Sequence, residues 1–201
     1  MLPDRHRATA RRGPALGGAS ASAFRLRGLA SAEPGSCGTG LLWHHVRVDD
    51  FVIRQATDSD LLAAAGLRWT WVVDGKGAPP QTDRIDFIAR FARWARESPM
   101  HICFIAESAG DVVGMAWLAL NTRVPSPRSF DRQNGDVQSV YVLPSFRRRG
   151  VASALIAAIS ESARQRGIER LTVHSSEEAI STYARAGFES SELLRHLIVT
   201  E

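Results

Sequence analysis

The run Arg147-Arg148-Arg149-Gly150-Val151-Ala152 has residue types and spacing that suit an anion. A strand-like run, 137–143, comes before it and is stopped by Pro144. A helical run follows to about Arg166, with Val151, Leu155, Ile156 and Ile159 recurring at helical spacing. The first turn of a helix leaves backbone N–H groups without partners, and the helix dipole adds partial positive charge there. Three guanidinium groups add full charges at the same place. Gly150 and Ala152 keep side-chain bulk away, so a phosphate can approach the main chain. The chemistry-free alternative is an ordinary basic turn with solvated arginines.

The elements that must position this loop can be read in chain order. Phe51 to Ala56 reads as a first strand. Thr57 or Asp58 can cap a helix running through Leu61, Leu62, Ala65 and Leu67 towards Trp71. Residues 74–80, rich in Gly and Pro, form a loop. Thr82 or Asp83 opens a second helix with Ile85, Ile88, Phe91, Ala92 and Ala95 on one face, ended at Ser98-Pro99. Two strands, 101–107 and 112–120, flank a hairpin turn at Ala109-Gly110-Asp111 with Gly110 at positive φ. Residues 121–135 read as a long polar loop of functional length. A strand at 170–174, a short helix at 177–185 and a closing strand at 192–199 complete the order.

Composition sets the limits. A chain of 201 residues with 44% hydrophobic and 23% charged residues fits one soluble domain with a substantial core. No apolar stretch approaches the roughly 18–20 residues of a membrane span. Residues 1–50 hold seven arginines against four acids, whereas residues 51–201 hold 18 basic and 17 acidic residues. The high isoelectric point therefore belongs to the N-terminal stretch, and a nucleic-acid partner is not expected. Residues 1–48 read as a flexible Arg/Ala/Gly-rich extension, and 49–201 as the folded domain. That extension has the arginines of a transit peptide but neither an apolar core nor an amphipathic helix. Cys37 and Cys103 suggest neither a pair nor a metal site, and a cytoplasmic location is expected.

Two landmarks, in order and at the right separation, carry a resemblance. Arg147-x-x-Gly150-x-Ala152 is similar to motif A of the GCN5-related N-acetyltransferase family, Q/R-x-x-G-x-G/A. Ser176-x-x-Ala179-x-x-x-Tyr183-x-x-x-Gly187-Phe188 resembles its motif B, with serine where asparagine is usual. The order of elements over 51–199 matches as well. The resemblance implies an α/β fold. Its sheet is mixed and mostly antiparallel, with six to seven strands and about four flanking helices. A parallel strand pair splays around a β-bulge to form the slot for CoA. It also implies an acetyl-CoA-dependent N-acetyltransferase domain over 49–201, with no metal.

The resemblance places the pyrophosphate on the N–H groups of Arg148, Arg149, Gly150, Val151, Ala152 and Ser153, beside Arg147. It places the pantetheine arm on the main chain of Val140, Tyr141 and Val142, with a nearby N–H as oxyanion donor. Tyr183 matches the tyrosine that donates to the CoA sulfur, and a phenol stays protonated at neutral pH. Ser176 either touches pantetheine or caps the next helix. The base is open. Many relatives carry glutamate where Gln138 stands, and an amide cannot take the proton. Alternation aligns Asp136, Gln138 and Val140 on one face, so Asp136 is the nearest carboxylate. Water relayed by Gln138 or Ser139, and His174, are the other routes. No cysteine stands where a nucleophile is needed, so transfer is expected to be direct. Trp69, Trp71 and Trp94 are candidate acceptor walls, and Asp83, Asp86 and Asp131 candidate partners of a cationic amine. The expected partner is a small-molecule or peptide amine, with no nucleic acid and no membrane; a homodimer is left open. The rival reading is a non-catalytic acyl-CoA-binding or regulatory module on the same fold.

Overall fold

The computed structural model describes residues 46–48 and 50–191. Most of the N-terminal extension and the expected closing strand lie outside the described residues. Six strands form one sheet in chain order: β1 (Val46–Val48), β2 (Phe51–Gln55), β3 (His101–Ser108), β4 (Asp111–Thr122), β5 (Gln133–Val142) and β6 (Leu171–Val173). Among these, β5 and β6 run parallel and the other neighbours antiparallel. The four α-helices are α1 (Leu61–Trp69), α2 (Arg84–Glu97), α3 (Val151–Gln165) and α4 (Ile180–Arg185).

The sheet is covered on both faces. On one, Val151, Leu155, Ile156 and Ile159 of α3 bury against Phe104, Leu118, Val137 and Val142. Burial of each such side chain is worth roughly 1.5–3 kcal/mol. On the other, Leu61, Ala64 and Leu67 of α1 and Ala92 of α2 pack on Cys103, Ile105, Met115, Trp117 and Tyr141. The helical spacing read from the sequence thus places α3 correctly. In α2 the stripe begins later than expected, because Ile85 in the first turn is 82% exposed.

Three boundaries differ from the sequence reading. Val46–Val48, assigned by composition to the extension, pair with β2 in the register Val46↔Ile53. The polar stretch 121–135 is shorter as a loop, since β4 and β5 stay paired out to Thr122↔Gln133. Ladder bonds are main-chain bonds, so polar, solvent-facing side chains do not by themselves end a strand. The helix expected over 177–185 begins as a 3₁₀ turn, Glu177–Ala179, and is α-helical only from Ile180.

An ion-pair network fixes the start of α1. Arg54 on β2 donates to both oxygens of Asp60, at 2.6 and 2.9 Å, and to Glu107 at 2.8 Å. The N–H and hydroxyl of Thr57 also donate to Asp60, each at 2.7 Å. Hydrogen bonds from Arg54 hold the Asp60 carboxyl down at about 2. After Trp69 the chain widens into a π-type turn, Thr70–Asp74, closed by the N–H of Gly75 on the Thr70 carbonyl at 2.9 Å.

Candidate active site

The site is built around an irregularity in β5. Pairing with β4 steps from Trp117↔Gln138 to Met115↔Tyr141, so β5 spends three residues where β4 spends two. This is a β-bulge at Ser139-Val140, and Ser139 takes a left-handed φ of 53° to make it. The parallel ladder to β6 ends at Val137↔Val173, just before the bulge. From there to Val142, β5 pairs with β4 alone among the described strands. Val140, Tyr141 and Val142 therefore lie on the diverging edge. Arg147 crosses to this edge, donating from Nε to the Val142 carbonyl at 3.0 Å.

The bulge also corrects an expectation. Strict alternation would put Val140 with Asp136 and Gln138. Instead the extra residue flips the phase. Val140 packs on the α3 side with Val137 and Val142, while Tyr141 joins Gln138 on the α1/α2 side. No local composition marks Ser139 as left-handed, so the sequence carried no signal for this.

The basic loop ends in a run of free donors. The helix-side carbonyl of Gly150 accepts from Ala154 at 3.0 Å, the first bond of α3. No acceptor among the described residues meets the N–H groups of Arg148, Arg149, Gly150, Val151, Ala152 or Ser153. Six successive amides thus open at one helix N-terminus, where the dipole favours an anion. Gly150 has φ 80° and Arg148 φ 59°. A Cβ at Gly150 would meet nothing within 4 Å, so this glycine is needed for its backbone angle. The three arginines are not equivalent. Arg149 bonds Asp50 at 3.1 Å and lies over the Phe51 ring, whereas Arg148 has no side-chain partner among the described residues.

Tyr183 on α4 is buried, with its ring edge-on to Phe188 at 5.5 Å. Its hydroxyl makes no hydrogen bond to the described residues, and burial raises its pKa. The side chain therefore remains a proton donor. Ser176 precedes the Glu177–Ala179 turn, yet its hydroxyl makes no capping bond. His174 is exposed beyond the end of β6.

On the opposite face, the Gln138 amide donates to Asp136 Oδ2 at 2.8 Å, and the Thr172 hydroxyl donates to Oδ1 at 3.3 Å. Sequence reasoning aligned Asp136 and Gln138 but missed Thr172, which the parallel register sets opposite Asp136. Of the candidate walls, Trp71 stacks on Tyr141 (centroids 5.7 Å, planes 17° apart). Trp94 joins Phe91, His101 and Trp117 in an aromatic cluster, and Trp69 packs on Phe87. Asp83 and Asp86 are engaged within α2: Asp83 caps Ile85 and Asp86, and Asp86 takes Thr82 and Arg90. Burial in the sheet pushes the Cys103 thiol far up, which leaves no thiolate to act as a nucleophile. Among the described residues no helix is long and apolar enough to cross a membrane, and no three His, Cys, Asp or Glu side chains converge as metal ligands.

Three comparisons bear on this arrangement. The family model described as "Acetyltransferase (GNAT) family" matches residues 64–188. The glucosamine 6-phosphate N-acetyltransferase of Trypanosoma brucei brucei is 32% identical over 89 residues, 44% of this chain and 58% of that protein. The chain spans little more than half the length of the curated relatives it matches. A crystal structure of a Trypanosoma brucei acetyltransferase is 26% identical, with a TM-score of 0.58 over 75% of this chain and 100% of that one. A predicted acetyltransferase from Clostridium acetobutylicum, crystallised with acetyl-CoA, shares the fold at 19% identity. Its TM-score is 0.60 over 74% of this chain and 96% of that one.

Proposed function

Because the chain belongs to the acetyltransferase (GNAT) family, we propose that it transfers the acetyl group of acetyl-CoA directly to a primary amine. The observation that carries the reading is the run of six unpartnered amides from Arg148 to Ser153, set beside the diverging edge of β5. The amides fit a diphosphate, and the edge fits an extended amide-bearing arm.

In this reading the loop amides and Arg148 hold the pyrophosphate. Arg147, tied to the Val142 carbonyl, braces the strand that carries the arm. Main-chain groups of Val140, Tyr141 and Val142 take pantetheine by β-addition, with the Ser176 hydroxyl nearby in sequence to the motif B helix. When bound, acetyl-CoA supplies an activated acyl group. An N–H at the bulge donates to the acyl oxygen. Asp136 takes a proton from the attacking amine, directly or through water held by Gln138. Tyr183, which burial keeps protonated, donates its phenolic O–H to the departing sulfur.

A non-catalytic acyl-CoA-binding module is the second reading. It draws on Asp136, whose two oxygens already accept from Gln138 and Thr172. Calorimetry with CoA and a thiol-release assay with acetyl-CoA across an amine panel separate the two. The panel includes glucosamine 6-phosphate, the acceptor named for the trypanosomal relative. Turnover with any amine supports transfer. Tight CoA uptake with no turnover selects the module, and no uptake at all overturns both.

A further inference from the structure

Trp71 and Tyr141 carry three cations around their stack. Arg68 Cζ lies 5.0 Å and Lys76 Nζ 4.7 Å from the centre of the Trp71 ring. Arg147 Cζ lies 5.7 Å from the centre of the Tyr141 ring. The cation–π attraction of each contact is modest. Arg68 and Lys76 share one ring, so the two cationic groups lie no more than about 10 Å apart, roughly the Debye length at 0.1 M salt.

What is missing, among the described residues, is a counter-charge. Arg68 is half-buried, yet it has neither a hydrogen bond nor an ion pair among the described residues. Burial alone moves its pKa, downwards. Among the same described residues Lys76 has no ion pair either, nor does Asp74, the nearest acid in sequence. Among the described residues the other half-buried arginines each have a carboxylate: Arg54 holds Asp60 and Glu107, and Arg123 and Arg132 share Glu169. The dipole at the end of α1 favours a cation at Arg68 but gives it no acceptor. Lys76 does not stand on a loose loop. The N–H of Gly77 bonds Val73 O at 3.0 Å and that of Ala78 bonds Val72 O at 3.2 Å, which holds the turn against the Thr70–Asp74 segment.

The place of this cluster decides its meaning. Tyr141 stands one bulge away from Gln138 on the same face of β5, so the Trp71–Tyr141 stack borders the Asp136–Gln138 pair. We propose that the acceptor is an amine that also bears an anionic group, a phosphate or carboxylate, which seats between Arg68 and Lys76 while its amino group lies at the bulge. This rests on the acetyl-transfer reading given above and names the substrate class for the same site. An anion there would supply the missing oxygens to a half-buried guanidinium, and charge-assisted bonds of that kind are the strong ones.

Matched amines test the proposal: O-phosphoethanolamine against ethanolamine, glucosamine 6-phosphate against glucosamine, and 4-aminobutyrate against butylamine. The expected result is a kcat/KM at least tenfold higher for at least one anionic member than for its neutral partner. The first two pairs report on phosphate and the third on carboxylate. Arg68→Met and, on the exposed turn, Lys76→Met should each shrink that ratio at least fivefold. Equal rates within every pair, or a preference for the neutral amines, overturns the proposal. So does a rise in the KM for acetyl-CoA with the ratio unchanged, because the cations would then serve the carrier's phosphates. Calorimetry on CoA-saturated protein gives a readout without turnover. If phosphorylated or carboxylated amines bind and their neutral partners do not, yet nothing is acetylated, the anion site stands and acetyl transfer falls.

Discussion

The side-chain amide of Gln138 donates to Asp136 Oδ2 at 2.8 Å, and the two residues share the α1/α2 face of β5 immediately before the bulge. This fixes the orientation of the only carboxylate that alternation places next to Gln138 on that strand. The Thr172 hydroxyl from β6 steadies the other oxygen. Asp136→Asn keeps shape and hydrogen bonding but removes the proton acceptor. It is expected to lower kcat by about 10²–10⁴, the usual share of a general base, with acetyl-CoA affinity within twofold of the parent. Single-turnover thiol release against pH is the measurement. A retained kcat would move the base to His174 or to water.

Tyr183→Phe separates packing from chemistry. The hydroxyl has no partner among the described residues, while the ring packs on Phe188 and the α3 cluster. Removing the oxygen breaks no hydrogen bond to the described residues, so stability should change by no more than about 1 kcal/mol. Turnover should fall with CoA affinity intact. Denaturant melts, calorimetry and kcat measured together decide the case. Unchanged turnover where chemistry is limiting removes Tyr183 from the mechanism.

Gly150→Ala probes the cradle. Space is no obstacle, because an added Cβ meets nothing within 4 Å, but φ 80° is costly for alanine. The expected penalty is about 1 kcal/mol in stability. The larger effect should be on CoA, with Kd raised at least tenfold, because rotating this residue re-aims the amides on either side. Calorimetry of CoA binding checks it. An unaltered Kd would mean that the diphosphate rests elsewhere.

Much of this was legible in the sequence, for physical reasons that can be named. The spacing of Val151, Leu155, Ile156 and Ile159 is a helical stripe, and α3 buries those four side chains. Pro144 and Gly150 punctuate the loop where they were expected to. The bulge was expected only from the family resemblance. Its consequence, the phase change that turns Val140 away from Asp136, depends on how β5 registers against β4, and pairing partners are not written locally. The same holds for Thr172 beside Asp136 and for Trp71 on Tyr141, contacts between residues 36 and 70 positions apart. The three arginines of the loop look alike in sequence. Only tertiary neighbours assign Arg147 to Val142 and Arg149 to Asp50.

The Arg54–Asp60 pair makes stability pH-dependent, and its sign can be worked out. Hydrogen bonds from Arg54 hold the folded-state pKa of Asp60 at about 2, below the 3.8 of a free carboxyl. A depressed carboxylate stabilises the fold above its unfolded pKa, and the contribution disappears as pH falls through the folded value. Stability worth on the order of 2 kcal/mol should thus be intact above about pH 4 and lost towards pH 2. Asp60→Asn is expected to flatten that part of the profile and to lower the melting temperature at neutral pH by roughly 4–8 °C. Because Asp60 anchors the start of α1, whose far end leads to Arg68 and Trp71, the variant should also weaken acceptor binding more than CoA binding. Melting curves from pH 2 to 7 test the first part, and KM values for both substrates test the second. A parallel pH profile for variant and parent would show that the pair adds nothing to stability in this range.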